Sequence, residues 1–188
     1  MIKVVLLLVF FLLYMNIMNR NKYFDEIIEY IPKGVKVLDF GAGNCELSKY
    51  IGWRNNVTSI DIHKSCEKAD IYDGYKLPYE DNSFDVVLSM FVLHHIPHNK
   101  EIIHELQRVA RNRVIIVEDT PITLLQRFIS SVHYLYFQQP MYMIEHMKTP
   151  EDWCAYLGGE CIIKKTKSRS VINMTPHYII IKDSHLNT

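Results

Sequence analysis

Val35-Lys36-Val37-Leu38-Asp39-Phe40-Gly41-Ala42-Gly43-Asn44-Cys45 decides how the chain is read. VKVLDF (Val35–Phe40) has the composition of a buried strand, and two glycines follow it at once. A Gly-Ala-Gly turn lets backbone approach a ligand closely, and the helix expected from about Glu46 to Trp53 presents free N–H groups at its start. Gly-x-Gly alone arises often by chance. Its weight here comes from Asp61, eighteen positions beyond Gly43 at the end of the next apolar run, VTSIDI (Val57–Ile62). A carboxylate at that place can accept two hydrogen bonds from a ribose diol.

Strand and helix signals alternate outward from this point. Phe24, Ile27, Ile28 and Ile31 have helical spacing, and Pro32-Lys33-Gly34 ends their helix. Only seven residues, His63 to Ala69, separate the second strand from Asp70, so any crossover helix there is truncated. Ser83–Met90 and Arg113–Asp119 are near-continuous apolar runs, as strands covered on both faces require. Between them Ile102, Ile103, Leu106, Val109 and Ala110 line one face of a helix over Asn99–Asn112. Thr120-Pro121 predicts a helix start ahead of Leu124, and Thr149-Pro150-Glu151-Asp152 predicts another, stopped by Gly158-Gly159. Cys161–Lys167 and His177–Lys182 read as a closing antiparallel pair of strands. The alternation predicts a Rossmann-like α/β fold with a mostly parallel sheet and helices on both faces.

Composition narrows the function classes. The 188 residues suit one domain, and 48% hydrophobic content supports a full core. Basic and acidic residues number 21 each, with 10 and 12 of them in the first 94, so neither half carries a phosphate-backbone footprint and no nucleic-acid partner is expected. The run Lys164, Lys165, Lys167, Arg169 reads as a solvated strand face. Cys45, Cys66, Cys154 and Cys161 have no metal-ligand spacing and are too few for a disulfide scaffold, so no metal and a reduced, cytoplasmic setting are expected.

Residues 1–20 stand apart from the domain expected over 21–188. Val4–Met15 (VVLLLVFFLLYM) is uninterrupted apolar and extends weakly to Met18, short of the roughly 20 residues of a membrane span. Lys3 precedes it and Arg20 and Lys22 follow, favouring neither orientation. A marginal membrane anchor, an uncleaved signal-like segment and a buried covering helix all remain open. The anchor is placed first, because a helix apolar on every side must be surrounded by protein or lipid.

Two cofactor classes use a glycine loop followed by an acidic strand end. The dinucleotide fingerprint needs Gly or Ala at position 46, where Glu46 stands and would repel a pyrophosphate. With VLDFGAGNC, SIDI, KADIYDG, LPYEDNSFDVVLSMFVLHHI, ELQRVARNRVIIVED and TPEDWCAYLGG in this order, the chain resembles the class I S-adenosylmethionine-dependent methyltransferases over roughly Tyr23 to Lys182. The resemblance implies a seven-stranded sheet whose last strand is antiparallel, with S-adenosylmethionine as methyl donor. It implies that Asp39, Gly41, Ala42, Gly43 and Asn44 cradle the methionine portion, and that Asp61, followed by Ile62, takes the ribose. Asp70, after the third strand, and Ile71 flank adenine by the same resemblance, with Asp73 as substitute if the loop is shifted. By the same resemblance Ser89 and Met90 are expected to line the pocket near the sulfonium, with core filling nearly as good a role for Met90. Cys45 replaces the family's usual third glycine, and Ala110-Arg111-Asn112-Arg113 replaces a Lys-Pro-Gly-Gly turn.

On the acceptor side the reading stays broader. His94 and His95 follow the fourth strand, where either can take a proton from a hydroxyl or amine, although one histidine packing at the next helix start, His95 for preference, is the plainer role. Glu118 and Asp119 end the fifth strand, facing substrate or capping the helix after Pro121. Residues 128–147, rich in aromatics and methionine, read as a substrate cover or as ordinary packing. A small-molecule acceptor is expected, hydrophobic or lipid if residues 4–18 touch a bilayer. A non-catalytic binding protein of the same fold and a nicotinamide oxidoreductase are the competing classes, and oligomeric state is left open.

Overall fold

Hydrophobic residues on successive positions of the central strands pack on opposite faces, which fixes the layers. A computed structural model describes residues 21–128, 131, 146–167 and 176–184. Its elements are α1 (Asn21–Ile27) with a 3-10 turn (Ile28–Tyr30), β1 (Lys36–Phe40), α2 (Glu46–Ile51), β2 (Asn56–Asp61), β3 (Ala69–Ile71) and β4 (Phe84–Met90). A 3-10 turn (Leu93–His95), α3 (Asn99–Val109), β5 (Ala110–Asp119), α4 (Pro150–Tyr156), β6 (Ile162–Lys165) and β7 (His177–Asp183) complete them. The seven strands lie in the order β3-β2-β1-β4-β5-β7-β6. All central pairings are parallel, and β7 runs antiparallel to both β5 and β6. The fold is the Rossmann-like one expected.

Leu38, Phe40, Val87, Ile116 and Ile180 meet Ile102, Ile103 and Leu106 of α3 and Trp153 of α4 on one face. Val37, Val86, Leu88, Ile115, Val117 and Ile181 meet Phe24 and Ile27 of α1 and Leu47 and Ile51 of α2 on the other. Burial on both sides explains why these strands lack polar alternation. The edge strand β6 instead exposes Lys164 and Lys165, charges that discourage pairing with another sheet.

The last turns follow local chemistry. Thr149 caps α4 in a full capping box with Asp152, as its sequence announces. The helix after β5 starts later than expected: Thr123 Oγ1 accepts from Gln126 N (3.2 Å), and Gln126 Oε1 accepts from Ile122 N and Thr123 N (2.9 and 3.0 Å). Thr120 is fully buried and bonds Pro176 O instead (3.1 Å). Among the described residues no helix is long and apolar enough to cross a membrane. The apolar run 4–18, Arg169 and most of the expected cover (129–130, 132–145) lie outside the described residues.

Candidate active site

Parallel strands direct their carboxyl ends to one edge, where β1, β2 and β4 open into loops that converge. Gly41 has φ +70°, and its N–H and that of Ala42 donate to Ile60 O at 2.9 and 3.1 Å. A Cβ on Gly41 would lie 2.3 Å from Val92 Cγ2, so only glycine lets the chain after β4 cross this turn. A Cβ on Gly43 would meet nothing within 4 Å, so the loop faces open space there. Gly43 N donates to Asp61 Oδ2 (2.9 Å), and His63 N donates to Asp61 Oδ1 (3.2 Å). Asp61 thereby joins the loops after β1 and β2. Asp39 and Ala42 are buried, Asn44 is exposed, and Glu46 lies in the first turn of α2.

Ile62 and Ile71 are 51% and 54% exposed, apolar surfaces at the ends of adjacent parallel strands. Asp70 stands within β3 and not after it, and Tyr79 Oη donates to its Oδ2 (2.8 Å). Asp73 stands beyond the strand end, in a turn where its Oδ1 accepts Tyr75 N (2.9 Å) and Lys76 N (3.0 Å). The Lys76 and Tyr75 N–H groups hold its carboxyl below the usual range. His98 Nε2 donates to Gly74 O (2.8 Å) while its ring stacks on Tyr75, tying that turn to the start of α3. Asp73, the expected substitute, is thus the first acidic group in the loop beyond the strand.

The other wall is the chain after β4. Ser89 is fully buried with Phe40 and Ile116 as its neighbours in register, whereas Met90 packs in the core with Val117. Phe91 takes a left-handed backbone, φ +57°, and turns the chain over the site. Glu118, fully buried, accepts Val92 N (3.0 Å) and Leu93 N (2.7 Å) on Oε1 and holds His94 Nδ1 on Oε2 (2.5 Å). It caps this turn and not the helix after Pro121. Asp119 points to the opposite face and pairs with His177, which also bonds Tyr23 Oη.

The two histidines differ in kind. Burial alone would lower the His94 pKa, but the Glu118 carboxylate, through charge and hydrogen bond, more than offsets this and raises it. His95 reaches solvent, yet desolvation first and the His94 charge second push it down to about 4. Their ring centroids are 4.1 Å apart. His94 is the buried member and His95 the exposed one, the reverse of the plainer reading of the sequence.

The cysteines also depart from expectation. Cys45 is bonded to Cys66 and Cys154 to Cys161. Sequence separations of 21 and 7 gave no sign of this, because the fold brings each pair together across a loop. Among the described residues no cluster of His, Cys, Asp or Glu could hold a metal.

This sheet order is that of a Rossmann-like fold shared with solved methyltransferase structures, and residues 38–117 match the family described as "Methyltransferase domain". The match covers 80 of the 188 residues, under half of the chain. In particular, the chain is 36% identical over 96 residues to a 27-O-demethylrifamycin SV methyltransferase of Amycolatopsis mediterranei, covering 42% of this chain and 35% of that one. It is 32% identical over 108 residues to the ubiquinone/menaquinone biosynthesis C-methyltransferase UbiE of Burkholderia mallei, covering 47% and 44%. It thus spans less than half the length of either relative. The solved structure of a SAM dependent methyltransferase from Aquifex aeolicus shares the fold, with TM-score 0.56, 17% identity and coverage of 84% and 88%.

Proposed function

We propose that this chain is an S-adenosylmethionine-dependent methyltransferase acting on a small-molecule acceptor. The observation that carries the reading is Asp61, whose two oxygens each accept one backbone N–H from a different loop at the carboxyl edge of the sheet. Each oxygen keeps a second acceptor site, which suits the two hydroxyls of a ribose. Gly43 leaves open space on the methionine side, with Asp39, Gly41, Ala42 and Asn44 around it, and Ile62 and Ile71 offer apolar surface to an adenine. The Asp73-Gly74 turn supplies the polar adenine contact better than Asp70, whose carboxylate is held by Tyr79. Glu46 in the first turn of α2 disfavours a pyrophosphate and so a nicotinamide dinucleotide.

Bound S-adenosylmethionine supplies an electrophilic methyl group on a sulfonium with a neutral leaving group. The chain's own work is orientation, water exclusion and proton handling. Ser89 and Met90 close the end of β4 beside the glycine loop. The His94–Glu118 pair is buried and the carboxylate favours the charged imidazole, so it positions this wall of the site and leaves His95 to take a proton from an acceptor hydroxyl or amine. His95, neutral and exposed, meets the acceptor first.

An apolar acceptor is the finer reading. Ile122, Leu124, Leu125 and Phe128, all more than half exposed, follow the carboxyl end of β5 and provide a hydrophobic approach. An enzyme drawing a lipid acceptor from a bilayer through residues 4–18 belongs to this reading, and release of the protein from membranes by salt alone, without detergent, would overturn that part.

Calorimetry with S-adenosylmethionine, S-adenosylhomocysteine and NADH tests the reading directly. The adenosyl ligands are expected to bind and NADH is not. NADH binding alone would replace the methyltransferase with an oxidoreductase, and binding without methyl release to any acceptor extract would leave a non-catalytic binding protein.

A further inference from the structure

We infer that Cys45 and Cys66 form a reversible thiol–disulfide modification site that sets the grip of the cofactor cleft. The inference rests on the methyltransferase reading above. Cys45 is the N-cap of α2, 1% exposed and in a left-handed backbone with φ +56°. Cys66 lies in the loop between β2 and β3, partly exposed, with its Cα 6.0 Å from that of Cys45. The bond therefore joins the loop after β1 to the loop after β2. Those are the two loops that Asp61 joins through Gly43 N and His63 N.

The covalent tie and the carboxylate act on the same gap. A left-handed backbone costs a cysteine more than a glycine, so a covalent tie to Cys66 favours keeping Cys45 there. The disulfide acts two residues from Gly43, whose N–H reaches Asp61 Oδ2 at 2.9 Å, and by this inference supports that contact. With the bond opened, Cys45 relaxes toward ordinary backbone angles, the Gly43 contact loosens, and a ligand must reorder the loop on binding. The oxidised form is accordingly the tight-binding one.

A reductant reaches the bond from beside the cofactor cleft, since Asn44 of the glycine loop lines the same cavity. A cavity of about 530 Å³ opens between α2 and the β2–β3 loop, lined by Cys45 and Cys66 with Glu46, Lys49, Glu67 and Lys68 around them. A low-molecular-weight thiol entering there attacks Sγ of Cys66 as thiolate, forms a mixed disulfide and expels Cys45 as thiolate, which takes up a proton. A second thiol resolves the mixed disulfide. The balance is two thiols consumed, one external disulfide and two protein thiols produced.

Cys154–Cys161 joins α4 to the start of β6 at the opposite edge of the sheet, so it serves as the control pair. S-adenosylhomocysteine affinity is measured by calorimetry on the full chain and on Cys154→Ser/Cys161→Ser, each before and after dithiothreitol, with non-reducing peptide mapping of residues 45 and 66. Reduction is expected to weaken binding roughly tenfold in both proteins. Cys66→Ser is expected to bind like the reduced form with or without dithiothreitol, which keeps the test open if the double variant does not fold. Equal affinity in both redox states, or free Cys45 and Cys66 in the oxidised protein, overturns the inference while leaving the cofactor reading intact. Binding in neither state overturns the cofactor reading and the inference with it.

Discussion

Gly43 N and Asp61 Oδ2 stand 2.9 Å apart, so the tip of the glycine loop after β1 is fastened to the end of β2 before any ligand arrives. The carboxylate is partly exposed and has acceptor capacity left on both oxygens. Asp61→Ala removes the loop fastening and the ribose partner together. It is expected to weaken S-adenosylhomocysteine about 10- to 100-fold in calorimetry, the range for losing one or two hydrogen bonds to a charged group. An unchanged affinity would refute the ribose assignment.

Gly41 and Val92 form the other close crossing. Any Cβ at position 41 meets the Val92 side chain at 2.3 Å, and the positive φ adds strain. Gly41→Ala should cost about 1–3 kcal/mol in denaturant unfolding. Val92→Ala in the same chain should return part of that loss, since it removes the colliding methyl groups but not the backbone strain. A double variant no more stable than Gly41→Ala would show that the contact is not the cause.

The parallel core and the glycine loop were legible because they depend on local patterns: unbroken apolar runs for doubly covered strands, and glycines where the turn needs φ above zero. The residues that were not legible depend on where separate elements meet. Glu118 looks like a helix cap or a substrate contact in sequence, but only the register of β4 against β5 brings it under Val92 and Leu93. Asp70 satisfies the spacing of an adenine contact, yet β3 begins late enough to enclose it. The start of the helix after Pro121 moved to Thr123 because Thr120 is taken by Pro176. Pairing of Cys45 with Cys66 likewise needs the β1–β2 crossover, which no spacing rule records.

The two adjacent histidines should leave opposite marks on stability. The folded-state pKa of His94 is raised above its unfolded value near 6.5, so its contribution is full below that pH and is lost as pH rises through the raised value. His95 is depressed to about 4, so between pH 4 and 6.5 the unfolded chain binds more protons and stability rises with pH. Thermal unfolding of the native chain should therefore peak near pH 6 to 7, roughly where the two slopes meet. Glu118→Gln should remove the decline on the alkaline side, and His95→Asn should flatten the acid side. Persistence of the alkaline decline in Glu118→Gln would refute the buried ion pair.

Asp70 and Asp73 can be told apart because each has a different partner. Asp70 accepts the Tyr79 hydroxyl, whose ring packs edge-on against Phe84, so its loss acts on the fold. Asp73 organises the turn that His98 ties to α3 and stands beyond the strand end, where an adenine would lie. Asp73→Ala is expected to weaken S-adenosylhomocysteine about tenfold, one charged hydrogen bond with its turn. Asp70→Ala should leave affinity within about twofold and cost about 1 kcal/mol of stability, a loss that Tyr79→Phe should reproduce. The inverse pattern, with affinity following Asp70 and not Asp73, would return the adenine contact to β3 and require the Tyr79 hydroxyl to yield its place to the ligand.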